Sequence, residues 1–209
     1  SVPTLTGGNH YTLLAYESGG AVKTVVLNED YAAPAAGAAQ LRIYNTAGDA
    51  GKLDVYITAP NVELADASSP VSFTTGTVPF STALLTYSPG TYRVRVTGNG
   101  NKADLRLDMP AVTIASQQVA TVVLTPAAGG VLLNGSTLVQ QSTYTAVRNT
   151  NVRVRLAAAV SGNATVAASS GSSTIDAGSV APSFGFYSLV PAAGPLNISV
   201  NGASVAAPA

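Results

Sequence analysis

The stretch TYRVRVTGNGNKADLRLDM, residues 91–109, decides the fold. Side chains alternate across a strand, so Tyr92, Val94 and Val96 share one face and Arg93 and Arg95 the other. Gly98-Asn99-Gly100-Asn101 has the composition of a hairpin turn. On the return strand Leu105, Leu107 and Met109 face the core, while Asp104, Arg106 and Asp108 face out. Arginines on one strand opposite aspartates on the next predict a salt-bridge ladder on the wet face, each rung contributing roughly 0.2–1 kcal/mol. One apolar face and one charged face describe a half-buried antiparallel sheet.

Strand signals recur along the rest of the chain, bounded by Gly, Pro, Asn and Asp. They fall at Tyr11–Tyr16, Val22–Leu27, Gln40–Tyr44, Leu53–Thr58, Thr91–Thr97, Ala103–Met109, Val119–Thr125, Val152–Leu156, Phe184–Val190 and Leu196–Val200. This spacing belongs to sandwiches and barrels. Ala32–Ala39 is Ala-rich, but Pro34 and Gly37 interrupt it, so it reads as a linker. The expected fold is all-β, built of tandem Ig-like or transthyretin-like antiparallel sandwich domains.

Composition narrows the function. Ten Lys+Arg balance ten Asp+Glu, so no net field draws the chain to nucleic acid or anionic lipid, and little repulsion opposes self-association. Charged residues are 10% of the chain against 46% apolar ones. With β-branched residues in short alternating runs, that balance means folded sheet and not disorder. There is no cysteine, hence no disulfide, thiolate metal site or cysteine nucleophile. No apolar run approaches the roughly 20 residues that span a bilayer.

The sequence also repeats itself. Thr4-Leu5 and Thr12-Leu13-Leu14 match Thr113-Ile114 and Thr121-Val122-Val123 at an offset of 109. Leu41-Arg42-Ile43 matches Val152-Arg153-Val154 at an offset of 111. Leu85, Gly90, Tyr92, Val94 and Val96 match Leu189, Gly194, Leu196, Ile198 and Val200 at an offset of 104. The expected organisation is therefore the closing strands of a repeat at 1–30, a linker at 31–38, a complete sandwich at 39–141, a linker at 142–149, and an incomplete sandwich at 150–209. Pro208-Ala209 aligns with Pro110-Ala111, and Ser1 falls opposite Pro110, so the two partial copies are complementary. Residues 1–30 then either complete the last domain of their own chain, insert into the last domain of a neighbour, or belong to a longer protein.

The stretches LRIYNTAGDAGKLDVYI (41–57), YSPGTYRVRVTG (87–98) and YTLLAY…AVKTVVLNED…APAAG (11–37) resemble the domain-of-unknown-function 4397 family. The resemblance implies tandem β-sandwich repeats in an exported bacterial protein, with a lipid anchor preceding Ser1 as an option. The expected location is the cell surface or extracellular space, with the periplasm as the alternative. No activity is assigned to the family, so no catalytic residue is carried over.

Candidate chemistry is sparse. His10 is the only histidine. It lacks a second ligand or a serine in a nucleophile-elbow setting, so it reads as structural. Asp104, Arg106 and Asp108 read as ladder, not as paired catalytic carboxylates. Asp49, Asp54, Glu63 and Asp66 lack the dense spacing of a calcium loop. Nine tyrosines, Tyr56 and Tyr92 among them, raise carbohydrate stacking as a minor option. The N-x-S/T triplets at Asn134, Asn163 and Asn197 matter only in a eukaryotic secretory pathway.

No catalytic residue, cofactor or metal is expected. The expected function is a structural protein whose partner is itself, head to tail. Leu5, Tyr11, Leu13, Val25 and Leu27 are the expected donor contacts. Phe184, Phe186, Leu189, Leu196, Ile198 and Val200 are the expected acceptor core. The alternative is a monomeric carbohydrate- or peptide-binding or spacer module.

Overall fold

The computed structural model describes residues 4–73, 78–128 and 130–206. The chain is all-β, with several antiparallel sheets and one short 3-10 turn at Gly48–Ala50. It divides into two compact units, residues 1–100 with 106–149, and residues 101–105 with 150–209. Ser1, Pro208 and Ala209, which carry the expectation about the repeat ends, lie outside the described residues.

The first unit opens with a hairpin of β1 (Tyr11–Ser18) and β2 (Ala21–Asn28). There follow β3 (Ala39–Asn45), β4 (Leu53–Thr58), β5 (Val71–Phe73), β6 (Phe80–Ser81), β7 (Leu85–Tyr87) and β8 (Gly90–Gly98). Then come β9 (Asn101–Ile114), β10 (Val119–Pro126), β11 (Leu133–Val139) and β12 (Tyr144–Val147). One sheet runs β5-β4-β8-β9; the other runs β12-β11-β10-β3-β6, with β7 also on β3. Alternate residues of the two sheets meet in one core, which includes Leu41, Ile43, Val55, Val94, Val96, Leu107, Met109, Ile114, Val122 and Leu124. Gly135 lies over Leu107 and Met109, where a Cβ would collide with the methionine side chain.

β10 is buried from Val119 to Leu124 on both faces. It pairs in parallel with β3 and antiparallel with β11. Ala120, Val122 and Leu124 enter the core. On the other face Thr121 accepts a hydrogen bond from Arg42 Nε (2.9 Å), and Val123 packs with Leu27. A strand covered on both sides has no wet face, which is why VATVVL is a nearly continuous apolar run.

Leu27 also meets Tyr44 and Leu138, with Leu14 and Val25 against them, so the hairpin covers the outer face of the β10-containing sheet. Glu29 accepts from Gln141 N (2.6 Å), and Gln141 Nε2 donates to Glu29 O (2.9 Å). Tyr31 N donates to Gln140 Oε1 (3.0 Å), and Gln140 Nε2 donates back to Tyr31 O (2.8 Å). The expected closing strands at 1–30 thus rest, through Leu14, Val25, Leu27 and Glu29, on the first unit of their own chain. The expected linker at 31–38 has no strand, although Tyr31 is pinned. The expected linker at 142–149 contains β12, because Tyr144–Val147 continues the sheet beside β11.

The second unit contains β13 (Asn151–Val154), β14 (Ala157–Ala158), β15 (Thr165–Ser170), β16 (Ser173–Val180) and β17 (Ser183–Phe184). It ends with β18 (Ser188–Pro191), β19 (Leu196–Val200) and β20 (Ala203–Val205). Its four-stranded sheet runs β16-β15-β19-β20, the same connectivity as β5-β4-β8-β9. β13 pairs with β18 as β3 pairs with β7, and β14 with β17 as β3 with β6. Its buried residues form two small clusters, one around Ala158, Val166 and Ala181, the other around Ala168, Ile175 and Val190.

The expected arginine–aspartate ladder keeps one rung. Arg93 Nε and Nη2 donate to Asp108 at 2.9 and 2.5 Å. Arg95 is buried and donates to Thr58 Oγ1 (2.9 Å) and Val62 O (2.8 Å), because the turn after β4 folds over it. Arg106 donates to the Ala50 carbonyl, and Asp104 pairs with Arg153. The face expected to be wet is largely covered, so beside the Arg93–Asp108 pair its arginines also find uncharged partners at Thr58, Val62 and Ala50.

At the β8–β9 turn, Gly100 takes φ +72°, a left-handed conformation suited to glycine. Its N–H donates to Asp54 Oδ2 (2.7 Å), and Asn99 Nδ2 donates to Asp54 Oδ1 (2.8 Å). Ser72 Oγ donates to the same carboxylate (2.5 Å), so Asp54 ties β4, β5 and the turn together. Burial disfavours the charged carboxylate, but the hydrogen bonds from Ser72, Gly100 and Asn99 outweigh it and hold Asp54 below the usual carboxyl range.

Two outcomes follow. The folded pKa of Asp54 lies below the unfolded one, so its contribution is complete above about pH 4 and is lost as pH falls through the lowered value. Asp54→Asn should cost about 1–3 kcal/mol at neutral pH and flatten the acid side of the stability profile, read by urea denaturation across acidic pH. Leu27→Ala should destabilise the hairpin by about 2–4 kcal/mol and speed amide exchange across residues 11–28. Leu13→Ala, on the exposed face, should leave that exchange unchanged.

Candidate assembly surfaces

The two hairpins β1–β2 and β10–β11 share one register. Tyr11 faces Asn28, Thr12 faces Leu27 and Leu13 faces Val26. Ala120 faces Val139, Thr121 faces Leu138 and Val122 faces Thr137. Offsets of 109 for the first strand and 111 for the second carry each pair onto its counterpart.

Their surroundings differ. Ile114, Val122 and Leu133 are 1%, 0% and 0% exposed in the core, whereas their counterparts Leu5, Leu13 and Val22 are 60%, 68% and 78% exposed. The face that closes a sandwich in β10–β11 is therefore bare in β1–β2. Tyr11 lies on this bare face, its hydroxyl accepting from Thr6 N (3.1 Å) and Asn9 Nδ2 (3.4 Å). Those donors, Thr6 first, lower the phenol's pKa.

Val25 and Leu27, expected among the donor contacts, point the other way, into the first unit. The antiparallel pairing places them beside Leu14 and Thr12, not beside Leu13. Val22 and Val26 take their place on the outward face. The repeat itself carried that signal, since Val22 falls opposite Leu133 and Leu27 opposite Leu138.

In the second unit Val152 is 40% exposed, while its counterpart Leu41 is fully buried. Val154 is part-buried where Ile43 is buried. Among the expected acceptor residues, Ile198 and Val200 pack against the cluster at Val166, Leu196 is exposed, and Leu189 is part-buried opposite Arg153.

Phe184 and Phe186 are not core residues. Phe184 pairs with Ala157, on the same side as Arg153 and Arg155. The Arg155 guanidinium lies 4.0 Å from the Phe184 ring centroid and 4.5 Å from that of Tyr187. Arg153 stacks on Tyr187 at 4.5 Å and pairs with Asp104 at 2.5 Å. Cation–π stacking holds these rings against the arginine face and leaves them beside a cleft of about 250 Å³. The pairing of β17 with β14 places Phe184 there; the apolar character of Phe184 and Phe186 alone suggested the core.

The remaining candidates are structural. His10 N donates to Asp30 Oδ2 (2.6 Å), and His10 Nδ1 lies 2.9 Å from Asp30 Oδ1, a clasp across the open end of the hairpin. These bonds lower the Asp30 pKa. Tyr87 and Tyr92 make an edge-on ring contact at 5.3 Å, and Tyr92 Oη donates to Ser88 O (2.7 Å). Among the described residues no three or more His, Asp or Glu converge as metal ligands. No helix among them is long and apolar enough to cross a membrane.

No curated protein matches the chain. Residues 1–56, which run from the bare-faced hairpin through β3 into β4, match the family described as Domain of unknown function (DUF4397), the family that the sequence resembles.

Proposed function

We propose that this chain is a non-enzymatic structural protein of the bacterial cell surface or extracellular space, made of tandem Ig-like or transthyretin-like domains. Subunits join head to tail when the β1–β2 hairpin of one copy completes the last domain of the next. The carrying observation is the shared register of the two hairpins, combined with the exposure of Leu5, Leu13 and Val22 where Ile114, Val122 and Leu133 are buried. A strand pair that is core in one repeat and bare in the next has the side chains of an interface already in place.

The energetics are reasonable. Burying Leu5, Leu13 and Val22 returns roughly 1.5–3 kcal/mol each, and new ladder hydrogen bonds add to this. Association costs on the order of 4–15 kcal/mol, so the acceptor must contribute as well. Val152, Val154 and Leu196 are there to do so. Such a contact is heterologous, and repeated copies give filaments unless the rotation closes a ring.

A second reading is favoured by the cleft at Arg153, Arg155, Phe184, Phe186 and Tyr187. On it, the chain is a monomeric carbohydrate- or peptide-binding or spacer module of a surface lipoprotein.

Light scattering with negative-stain imaging separates the two. The filament reading expects regular polymers in multiples of 20.9 kDa. Leu13→Asp combined with Val22→Asp should reduce them to monomers without unfolding the chain, because both sites are exposed. Polymers that persist in that variant, or a sharp wild-type monomer, would sink the filament reading.

A further inference from the structure

The open edge of the second unit is specific. In the first unit β3 has partners on both edges, β7 and β6 on one and β10 on the other. In the second unit β13 pairs antiparallel with β18 as β3 does with β7, but Leu189, the counterpart of Leu85, faces Arg153 and Val152 faces Val190, one residue from the pairing of Leu41 with Leu85. Among the described residues no strand is hydrogen-bonded to the opposite edge of β13 at Val152–Val154. That edge corresponds to the one β10 occupies on β3.

The occupant of that edge in the first unit has a counterpart in the chain. β10 runs parallel to β3, with Leu41 opposite Ala120, Arg42 opposite Thr121 and Ile43 opposite Val122. The repeat offsets convert these pairs into Val152 with Tyr11, Arg153 with Thr12 and Val154 with Leu13. Resting on the head-to-tail reading above, we propose that β1 of one copy lies parallel along β13 of a second copy, with Tyr11 opposite Val152, Thr12 opposite Arg153 and Leu13 opposite Val154.

Three features favour this register. Leu13 and Val152 are both exposed, whereas Val122 and Leu41 are fully buried. A shift by one residue would turn Leu13 away from the core, since side chains alternate with a period of two. The polar pair also transfers. Arg42 donates from Nε to Thr121 Oγ1 at 2.9 Å while its guanidinium lies 4.8 Å from the Tyr31 ring centroid. Arg153 is held over Tyr187 in a similar stack, and Thr12 supplies the hydroxyl of Thr121. A correctly seated hairpin brings Arg153 to Thr12, whereas a shift of one residue puts Tyr11 or Leu13 opposite it.

The occupant is a second copy because the chain's own hairpin is held on the first unit through Leu27, Glu29 and Tyr31, with its bare face turned outward. Closure onto the same chain is an outcome of the test.

The native chain has no cysteine, so introduced pairs report without background. Leu13→Cys with Val154→Cys should, on mild oxidation, give a ladder of covalent multiples of 20.9 kDa on a non-reducing denaturing gel, collapsed by reductant. Tyr11→Cys with Val152→Cys reports the same register with the acceptor cysteine at the more exposed Val152, should Val154→Cys impair folding. Leu13→Cys with Val152→Cys, which an antiparallel alignment would join, should stay monomeric. A ladder from this last pair, or from none of the three while light scattering still shows polymers, overturns the register and leaves head-to-tail assembly standing. A cross-linked product of monomer size means closure within one chain and overturns the second copy as occupant. Wild-type protein that never polymerises overturns both readings.

Discussion

A β-strand has two edges of backbone donors and acceptors, and a strand in the interior of a sheet needs a partner on each. In the first unit the parallel pairing of β10 with β3 meets this requirement. It places Ala120, Val122 and Leu124 against Leu41 and Ile43. It also builds the outer surface of Val123, Leu138 and Tyr44 on which Leu27 of the hairpin rests. Remove that pairing, and the core loses a wall while the hairpin loses its seat.

The second unit shows the sheet connectivity without that pairing. Its four-stranded sheet repeats the order of the first unit, and β13 and β18 repeat the pairing of β3 and β7. Yet its core is broken into two small clusters, and Val152 is exposed where Leu41 is buried. The hairpin at the other end of the chain has the complementary condition, a core face without a core. On the proposed head-to-tail reading each surface supplies the side chains that the other requires, and assembly is sheet closure and not a separate adhesive patch.

Charge plays a supporting part. With few charged residues, each is placed individually. Asp54 anchors the β8–β9 turn through hydrogen bonds that overcome the cost of its burial. Arg42 and Arg153 occupy matching strand positions and both stack on tyrosine, but Arg42 also has Thr121 across the ladder. An arginine on such a strand is a register marker, because its long planar head finds a hydroxyl acceptor only when the neighbouring strand is correctly aligned.

Much was legible in the sequence. Period-two alternation located β4 and β19 to the residue and β1, β2, β3, β8 and β10 within two residues at each end. The repeat offset of 109 links Thr12-Leu13-Leu14 to Thr121-Val122-Val123, and the structure adds that the two hairpins share one register. Strands β15 and β16 were missed because TVAASS and STIDAGSV are built from small and polar residues whose alternation is weak. β11 was missed for a similar reason, since Gly135 and Ser136 interrupt its apolar pattern. Sequence alone determined that the chain is β-sheet, that it repeats, and which positions are apolar, because these depend on local alternation and on self-similarity. Only the tertiary structure decided that Val25 and Leu27 face the first unit, that Phe184 stacks on Arg155 while Phe186 is exposed, and that Arg95 is buried. Those outcomes depend on which surface each strand face meets, and a side chain's direction acquires meaning only once the neighbouring sheet is in place.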